Sequence, residues 1–315
     1  MTLTSWEQVT NTLESAIRSV PMRFQRVQPD RWTIHPPGRQ RKAIEAKLTE
    51  DWLTFEAVPV LDTRDLWDLL QQPLPGLVRL VIDNDHLKFR VDIPVDSPTL
   101  GDVLAAALEC MNSALTRSTS VRDDLSVGTS VATLAAACED AGWPVHLREK
   151  GLSLTVNLDT PGSIRQAVGG ANSRGLTLST ELTILPGLPG AELQRAAAIF
   201  LLKTAGAVRL ARPFVRLSDG QCVLGFEVTW PGSANAAAVG HALAALSVAA
   251  ELTARELKAL ANPLVATLYL KDHDIIHEHA MSALLNLAAD LIERAAPDRE
   301  SAAEYLEAHR QYVDQ

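Results

Sequence analysis

One short segment of the chain crowds together residues that are able to bind a metal ion. Residues 272–279 read Asp-His-Asp-Ile-Ile-His-Glu-His. On a helix, His273 and His277 would lie one turn apart on the same face, where both imidazoles can reach one metal. The alternative is a solvated helix start, with Asp272 or Asp274 near the positive end of the helix dipole. His273 and His277 are therefore the candidate metal ligands, and no third ligand is placed beside them.

The common catalytic and cofactor motifs are missing from the sequence. It contains no GxxxxGK[ST], no GxGxxG after a predicted strand, no GxSxG and no HExxH. Residues 161–175 are rich in Gly and Ser, but no phosphate-binding pattern joins them to a helix, so we interpret them as a loop between strands. The sequence therefore predicts no cofactor and no enzymatic activity.

The three cysteines do not suggest a metal site or a disulfide framework. Their spacing fits no metal motif, and an odd number cannot close into pairs. Cys110 and Cys138 lie in apolar helical patterns, where a buried free thiol is the usual state.

The charge of the chain is unevenly distributed. The net charge is −9, and residues 262–315 hold 10 acidic but only 4 basic side chains. General binding of nucleic acid is not expected, because it requires a basic surface. The basic residues Arg39, Arg41 and Lys42 belong to an arginine-rich N-terminal stretch. That stretch is either a solvated face or a docking patch, for an acidic partner or for the chain's own acidic tail.

The sequence predicts a cytoplasmic location. Its N-terminus, MTLTSWEQV, lacks the basic and apolar regions of a signal peptide. The longest apolar run, residues 236–250, is too short and too rich in alanine to cross a bilayer. We therefore expect no membrane segment.

The chain repeats itself. Residues 78–94 read VRLVIDNDHLKFRVDIP, and residues 215–231 read VRLSDGQCVLGFEVTWP. An ungapped shift of 137 positions places Val78, Arg79, Leu80 and Phe89 on Val215, Arg216, Leu217 and Phe226. A repeat of this length predicts one duplicated domain and not a solenoid of short units. At the hairpin ends Ile93 corresponds to Trp230, a position that is either core or contact surface.

The hydrophobic patterns predict an α+β fold built from two tandem helix–antiparallel-sheet–helix units. Each unit is expected to contain a helix, three roughly meandering strands, a helix, a hairpin and a last helix. The predicted units are residues 1–120 and 129–262. Residues 263–315 form a C-terminal extension, in which Pro263 interrupts the pattern before two extra helices at 273–296 and 299–313.

This element order, with hairpin ends such as LKFRVDIP and LGFEVTWP, resembles the type III secretion chaperone-like families, which include the CesT-like and YbjN-like proteins. The resemblance covers residues 4–116 and, more loosely, 131–260. It implies binding to partly unfolded segments of partner proteins by small dimers. A tandem copy would then be a single-chain equivalent of such a dimer.

Two functions follow from these patterns. The first is a non-catalytic protein-binding module, chaperone-like or adaptor-like, that acts as a monomer or homodimer on a polypeptide partner. Its candidate partner-binding residues are Arg39, Arg41, Lys42 and Trp230. The alternative is an unrecognised metal-dependent enzyme that uses the cluster at 272–279.

Overall fold

The computed structural model is α+β, with two six-stranded antiparallel sheets. The residues it describes are 3–37, 42–59, 66–96, 99–116, 131–148, 153–160, 163–172, 175–218, 220–230 and 235–274. The chain divides into two compact units, Met1–Leu270 and Lys271–Gln315. Both sheets lie in the first unit.

The first half of that unit contains three helices and six strands within its described residues. The elements in chain order are α1 (Leu3–Ser19), β1 (Arg23–Gln28), β2 (Arg31–His35), β3 (Ile44–Leu48), β4 (Trp52–Ala57), α2 (Leu66–Gln71), β5 (Arg79–Asp83), β6 (His86–Pro94) and α3 (Leu100–Thr116). The strands lie in the order β1-β2-β3-β4-β6-β5.

The second half has the same order of helices and strands, followed by one more helix. Its elements are α4 (Val131–Asp140), β7 (Val145–Arg148), β8 (Ser153–Thr160), β9 (Ser163–Asn172), β10 (Gly175–Pro186), α5 (Ala191–Ala207), β11 (Arg212–Ser218), β12 (Gln221–Trp230), α6 (Ala236–Leu260) and α7 (Pro263–His273). The strand order β11-β12-β10-β9-β8-β7 is that of the first sheet read from its opposite edge.

Each sheet buries one face against two helices. In the first half α1 packs with α3, and α3 also contacts β6. In the second half α4 packs with α6, and α6 contacts β8, β10 and β12. Alternation along the strands produces this arrangement, since successive side chains point to opposite faces. On β4, for example, Leu53 and Phe55 are buried while Thr54 and Glu56 are partly exposed on the other face.

Helix α6 is the one helix of the described residues that is long and apolar enough to cross a membrane by length and composition. Asn235 caps its start, accepting a hydrogen bond of 2.9 Å from the Ala238 backbone N–H. Val239, Leu243 and Leu246 are fully buried. These contacts make α6 a core helix of the second half.

The two halves meet through reciprocal contacts between corresponding elements. Helix α5 of the second half packs on β5 of the first, and helix α2 of the first half packs on β11 of the second. The helices α2 and α5 also touch each other, as do the edge strands β5 and β11. The boundary therefore uses the same pair of elements from each half.

Gly206, in the last turn of α5, allows the closest approach across this boundary. A Cβ atom at Gly206 would lie 2.2 Å from the backbone oxygen of Ile82 on β5. That separation is far below van der Waals contact, so only glycine fits without a shift of the backbone.

The strand prediction was incomplete in both halves. Residues 24–34, predicted as one strand, form the two strands β1 and β2, whereas residues 43–58, predicted as one long or two short strands, form two. The meander of the first half therefore has four strands and not three. The stretch 161–175, predicted as a loop, contains strand β9. Its glycines suit a strand because a Cβ at Gly169 would collide with Leu154 on one neighbouring strand and approach Leu178 on the other. The glycine leaves room for these two leucines on the buried face.

The C-terminal prediction falls largely outside the described residues. Pro263 does separate two helical segments, but it also begins α7, a helix that the sequence analysis did not predict. Proline suits the first turn of a helix, since its missing N–H has no intrahelical partner there. The predicted helices at 273–296 and 299–313 lie beyond the part of the chain that the structure describes, apart from the first two positions.

The pairing register changes how the two hairpins correspond. Phe89 pairs with Leu80, whereas Phe226 pairs with Pro213. When the two phenylalanines are matched, Arg79 therefore corresponds to Arg212 and not, as the ungapped shift had it, to Arg216. The second hairpin is longer by two residue pairs, and an alignment without gaps does not account for this difference in length.

Candidate functional site: a charged groove on the first sheet

A groove of about 740 Å³ lies on the face of the first sheet that its own helices leave uncovered. Most of its lining comes from β2, β3, β4 and β6, and the second half contributes Gly206, Ala207 and Arg209. Charged side chains of both signs line it: Arg31, Lys47, Lys88, Arg90, Arg209, Glu45, Glu56, Asp83 and Asp92. The groove thus belongs to both halves of the chain.

One end of the groove holds a network of four paired charges. Lys88 donates to Glu56 at 3.0 Å and to Asp83 at 3.1 Å. Arg90 donates to Glu56 and Asp83, each at 2.6 Å, and to the backbone oxygen of Gly206 at 2.8 Å. This last bond places a cation at the C-terminal end of α5, where the helix dipole favours positive charge.

The network favours the charged forms of Lys88 and Asp83. Burial acts to lower the pKa of Lys88, but hydrogen bonds with Glu56 and Asp83 outweigh burial, and the pKa is raised. Burial likewise acts to raise the pKa of Asp83, yet the contacts with Lys88 and Arg90 outweigh burial, and its pKa is lowered. Groups held in their charged forms are suited to electrostatic binding and poorly suited to proton transfer near neutral pH.

Asp92 joins the groove to the boundary between the halves. On the boundary side it forms an ion pair with Arg79, whose side chain is fully buried. On the groove side it accepts hydrogen bonds from Thr54 at 2.8 Å and from Arg209 at 3.2 Å. Burial lowers the pKa of Arg79, while the charge of Asp92 opposes that effect. Asp92 therefore ties together strands β4, β5 and β6 and the second half's Arg209.

Arg79 also fastens the first half to the second. Its guanidinium donates to the backbone oxygens of Ala205, at 2.5 Å, and of Val208 and Ala211. Leu210, within this segment, has a φ of 65°, a left-handed conformation that leucine rarely adopts. The resulting turn presents the carbonyl groups to Arg79 while the neighbouring Arg209 reaches the groove.

Arg209, a groove residue, also lies over an aromatic ring. Its guanidinium carbon is 5.0 Å from the centre of the Trp52 ring, a cation–π arrangement. His241 of α6 meets the same ring edge-on at 5.2 Å and lies 3.8 Å from Asp96. The side chain of Arg209 remains 41% exposed, so part of it is accessible from the groove.

The middle of the groove places like charges opposite each other. Arg31 of β2 pairs directly with Lys47 of β3, and Glu45 of β3 pairs directly with Glu56 of β4. Arg31 and Lys47 are both exposed, and neither forms an ion pair within the described ranges. Like charges directly opposite on a sheet repel each other. Arg31 and Lys47 therefore leave positive charge in the groove that the neighbouring described residues do not neutralise.

The corresponding face of the second sheet differs in chemistry. Its outward residues on β8, β9 and β10 are mostly amides, hydroxyls and apolar groups, together with the exposed Glu181 of β10: Thr155, Asn157, Gln166, Val168, Thr177, Ser179, Glu181 and Ile184. The ion pairs described for this sheet lie on β11 and β12, near the boundary, where Glu227 binds Arg212 and, at 2.9 Å, Arg216. The two sheet faces are therefore chemically unequal.

Of the four predicted partner-binding residues, the structure describes Lys42 and Trp230. Lys42 is exposed just before β3, while Arg39 and Arg41 lie outside the described residues. Trp230 is 6% exposed at the end of β12, which favours its interpretation as a core residue over a contact surface. The groove residues Lys47 and Arg209, and Trp52 beside Arg209, were missed as a group, because only the folded sheet brings them together.

The predicted metal ligands are only partly described. His273 is the last residue of α7, and His277 lies outside the described part of the chain. The described residues contain no group of three or more His, Cys, Asp or Glu that could hold a metal ion.

The cysteines are buried free thiols, as predicted for Cys110 and Cys138. Burial, with a smaller contribution from the neighbouring glutamate in each case, raises the pKa of Cys110 to about 12 and that of Cys138 to about 11. Both thiols are therefore protonated and unreactive at neutral pH.

Comparisons with family models, with curated proteins and with solved structures found no match to this chain.

Proposed function

We propose that the two halves arose by duplication and form a single-chain pseudo-dimer. Three observations support this. Both halves have the order αββββαββα, and their strand orders correspond throughout. Phe89 and Phe226 are buried at matching positions of the last hairpin strand. Arg79 and Arg212, each on the first hairpin strand of its half, both donate hydrogen bonds to backbone oxygens of the opposite half.

We further propose that this pseudo-dimer is a non-catalytic module that binds a polypeptide partner in the cytoplasm, as a monomer or homodimer. The observation that carries the proposal is the groove on the first sheet, whose lining comes from both halves. Paired and unpaired charges of fixed sign suit recognition of a charged chain. The resemblance to CesT-like and YbjN-like proteins, which rests on element order and hairpin patterns, points in the same direction.

The chemical difference between the two sheet faces predicts which half of the proposed module binds the partner. The groove on the first sheet contains Arg31 and Lys47 of that sheet and Arg209 of the second half, and Lys42 is exposed just before strand β3. The described outward residues of the second sheet's β8, β9 and β10 carry few charges. An acidic partner should therefore bind the first half in preference to the second.

Affinity capture from the native host, followed by mass spectrometry, tests the proposal. The wild-type chain should retain a polypeptide that dissociates as salt rises. A variant with Arg39, Arg41 and Lys42 changed to Glu should retain less of it, and unchanged recovery would remove these three residues from the site. Hydrolytic or redox activity that disappears in His273→Ala or His277→Ala would contradict the proposal and favour the metal-dependent enzyme.

A further inference from the structure

The positive charges of the groove follow one line across the first sheet. Arg31 pairs with Lys47, Lys47 with Thr54, and Thr54 with Asp92, on four neighbouring strands. Arg209 of the second half binds Thr54 and Asp92 at the end of this line. Adjacent strands lie about 4.8 Å apart, so the backbone positions at the two ends of the line are about 14 Å apart.

This spacing argues against a small anion as the ligand. A phosphate or carboxylate is only a few ångströms across, and it would meet one or two of the three cations. An extended polypeptide, in contrast, repeats the same side-chain direction every second residue, or about every 6.8 Å. Three side chains at positions i, i+2 and i+4 therefore span about 14 Å, which matches the distance between the two ends of the line, Arg31 and Asp92.

The carboxylates of the groove argue against a continuous polyanion. Glu45 and Glu56 lie opposite each other beside the line, and Asp83 lies beyond them. A nucleic acid would bring closely spaced phosphates against these groups, on a chain whose net charge is already −9. A peptide with acidic residues at alternate positions avoids that repulsion, because its remaining positions are free to be neutral or basic.

We propose that the groove binds an extended segment of a polypeptide with acidic side chains at three alternate positions, paired with Arg31, Lys47 and Arg209. The inference rests on the proposed protein-binding function and adds the surface and the chemistry of the partner. Trp52, under Arg209, offers an apolar surface beside the last pairing site. The second half thus contributes a cation that completes a site on the first.

The test uses the full chain and fluorescence anisotropy of a labelled peptide with glutamate at three alternate positions among serines and threonines. A matched peptide carries glutamine at the three positions. We expect the glutamate peptide to bind about ten-fold or more tightly than the glutamine peptide, a difference of about 1.4 kcal/mol, and to weaken as salt rises.

The variant Arg31→Glu with Lys47→Glu should lose about ten-fold or more in affinity. The control changes Arg255 and Lys258, two exposed residues of α6, to Glu, so that the net charge changes equally. The control should stay within about two-fold of wild type. The affinity of the variant Arg31→Gln with Lys47→Gln should lie between those of wild type and of the glutamate variant. Circular dichroism should show that every variant is folded.

Several results would overturn the inference. They are absence of binding at millimolar peptide, equal loss in the control variant, an unchanged affinity in both groove variants, or tighter binding of a thymidine oligonucleotide than of the peptide. If the groove variants still capture the host partner as wild type does, the groove is not the binding site, and the protein-binding function stands. If the wild-type chain captures no polypeptide, the proposed function itself fails.

Discussion

Arg79 and Arg212 donate hydrogen bonds in opposite directions across the same boundary. Arg79 of the first half binds the carbonyl groups that follow α5, and Arg212 of the second half binds those that follow α2, with 2.8 Å to Leu74. Each arginine also has a carboxylate partner in its own half, Asp92 for Arg79 and Glu227 for Arg212. The two carboxylates occupy different positions of the last hairpin strand. Both halves therefore contain a buried arginine–carboxylate pair, although the positions of the carboxylates differ.

Replacement of Arg79 by Met should destabilise the chain strongly. The change leaves Asp92 without its buried partner and three carbonyl groups without their donor. Removal of one member of a buried ion pair costs about 3–5 kcal/mol. Urea denaturation should show this loss in the free energy of unfolding. The control Arg18→Met breaks an ion pair with Glu14 in which the arginine is 63% exposed, and it should cost less than about 1 kcal/mol. Equal losses in the two variants would contradict the proposed importance of the boundary.

Two glycine-to-alanine changes within helices should have opposite effects. Gly206→Ala places a methyl group against the Ile82 backbone oxygen and should destabilise by about 1–3 kcal/mol through overpacking. Gly240→Ala meets nothing closer than 3.6 Å and should stabilise by up to about 1 kcal/mol, since alanine favours the helix. Thermal unfolding of both variants measures the difference in stability. An unchanged stability of Gly206→Ala would mean that α5 and β5 do not approach each other as closely as the structure shows.

The matched phenylalanines should be of similar importance to stability. Phe89 is 3% exposed and Phe226 is fully buried. Truncation of either to Ala should cost about 3–5 kcal/mol, as for a large aromatic residue in a core. Chemical denaturation of the two single variants measures these costs, and a loss below about 1 kcal/mol at either position would show that it is not part of a packed core.

Stability should fall at high pH because of the buried thiols. The pKa of Cys110 is about 12 in the folded chain, against an ordinary value of 9.0. The unfolded chain therefore releases this proton first as pH rises. The stabilising contribution is fully present below pH 9 and is lost between pH 9 and about 12, with a slope of up to about 1.4 kcal/mol per pH unit.

The variant Cys110→Ala provides the comparison. Urea denaturation at pH 8 and pH 10 should show a smaller decline in the free energy of unfolding than in the wild-type chain. Tyr269, whose pKa burial raises to about 12, should add to the decline above pH 10 in both proteins. An identical decline in wild type and variant would show that the Cys110 thiol is accessible to water.

The sequence predicted the elements whose patterns are local. Alternation in 78–94 and helical spacing in the last helix of each half were sufficient to place the second hairpin strands and the helices α3 and α6. Strand β9 was missed because glycine signals a loop unless the leucines beside Gly169 are known. One residue did indicate that β5 lies at a boundary. Arg79 is a charged residue at the start of the otherwise largely apolar strand RLVID, and such a residue requires a partner.

The groove could not be predicted in the same way. Arg31, Lys47 and Arg209 are brought together by strand register and by the turn at Leu210. Neither feature has a local pattern, because register depends on hairpin length and on the packing of whole strands. The basic residues around position 40 indicated a binding site in the first half. The strand register shows a different set of basic residues, which follow a line across the first sheet.

The most direct test of the account is site-specific photo-crosslinking in the native host. A benzoyl-phenylalanine replaces Thr33, which lines the groove, or Lys258, which is exposed on α6. A polypeptide adduct is expected at position 33 and not at position 258. When a lysate is irradiated instead, addition of the alternating glutamate peptide before irradiation should reduce the amount of this adduct. Absence of any protein adduct at position 33, or the same adducts at both positions, would contradict a polypeptide-binding groove on the first sheet.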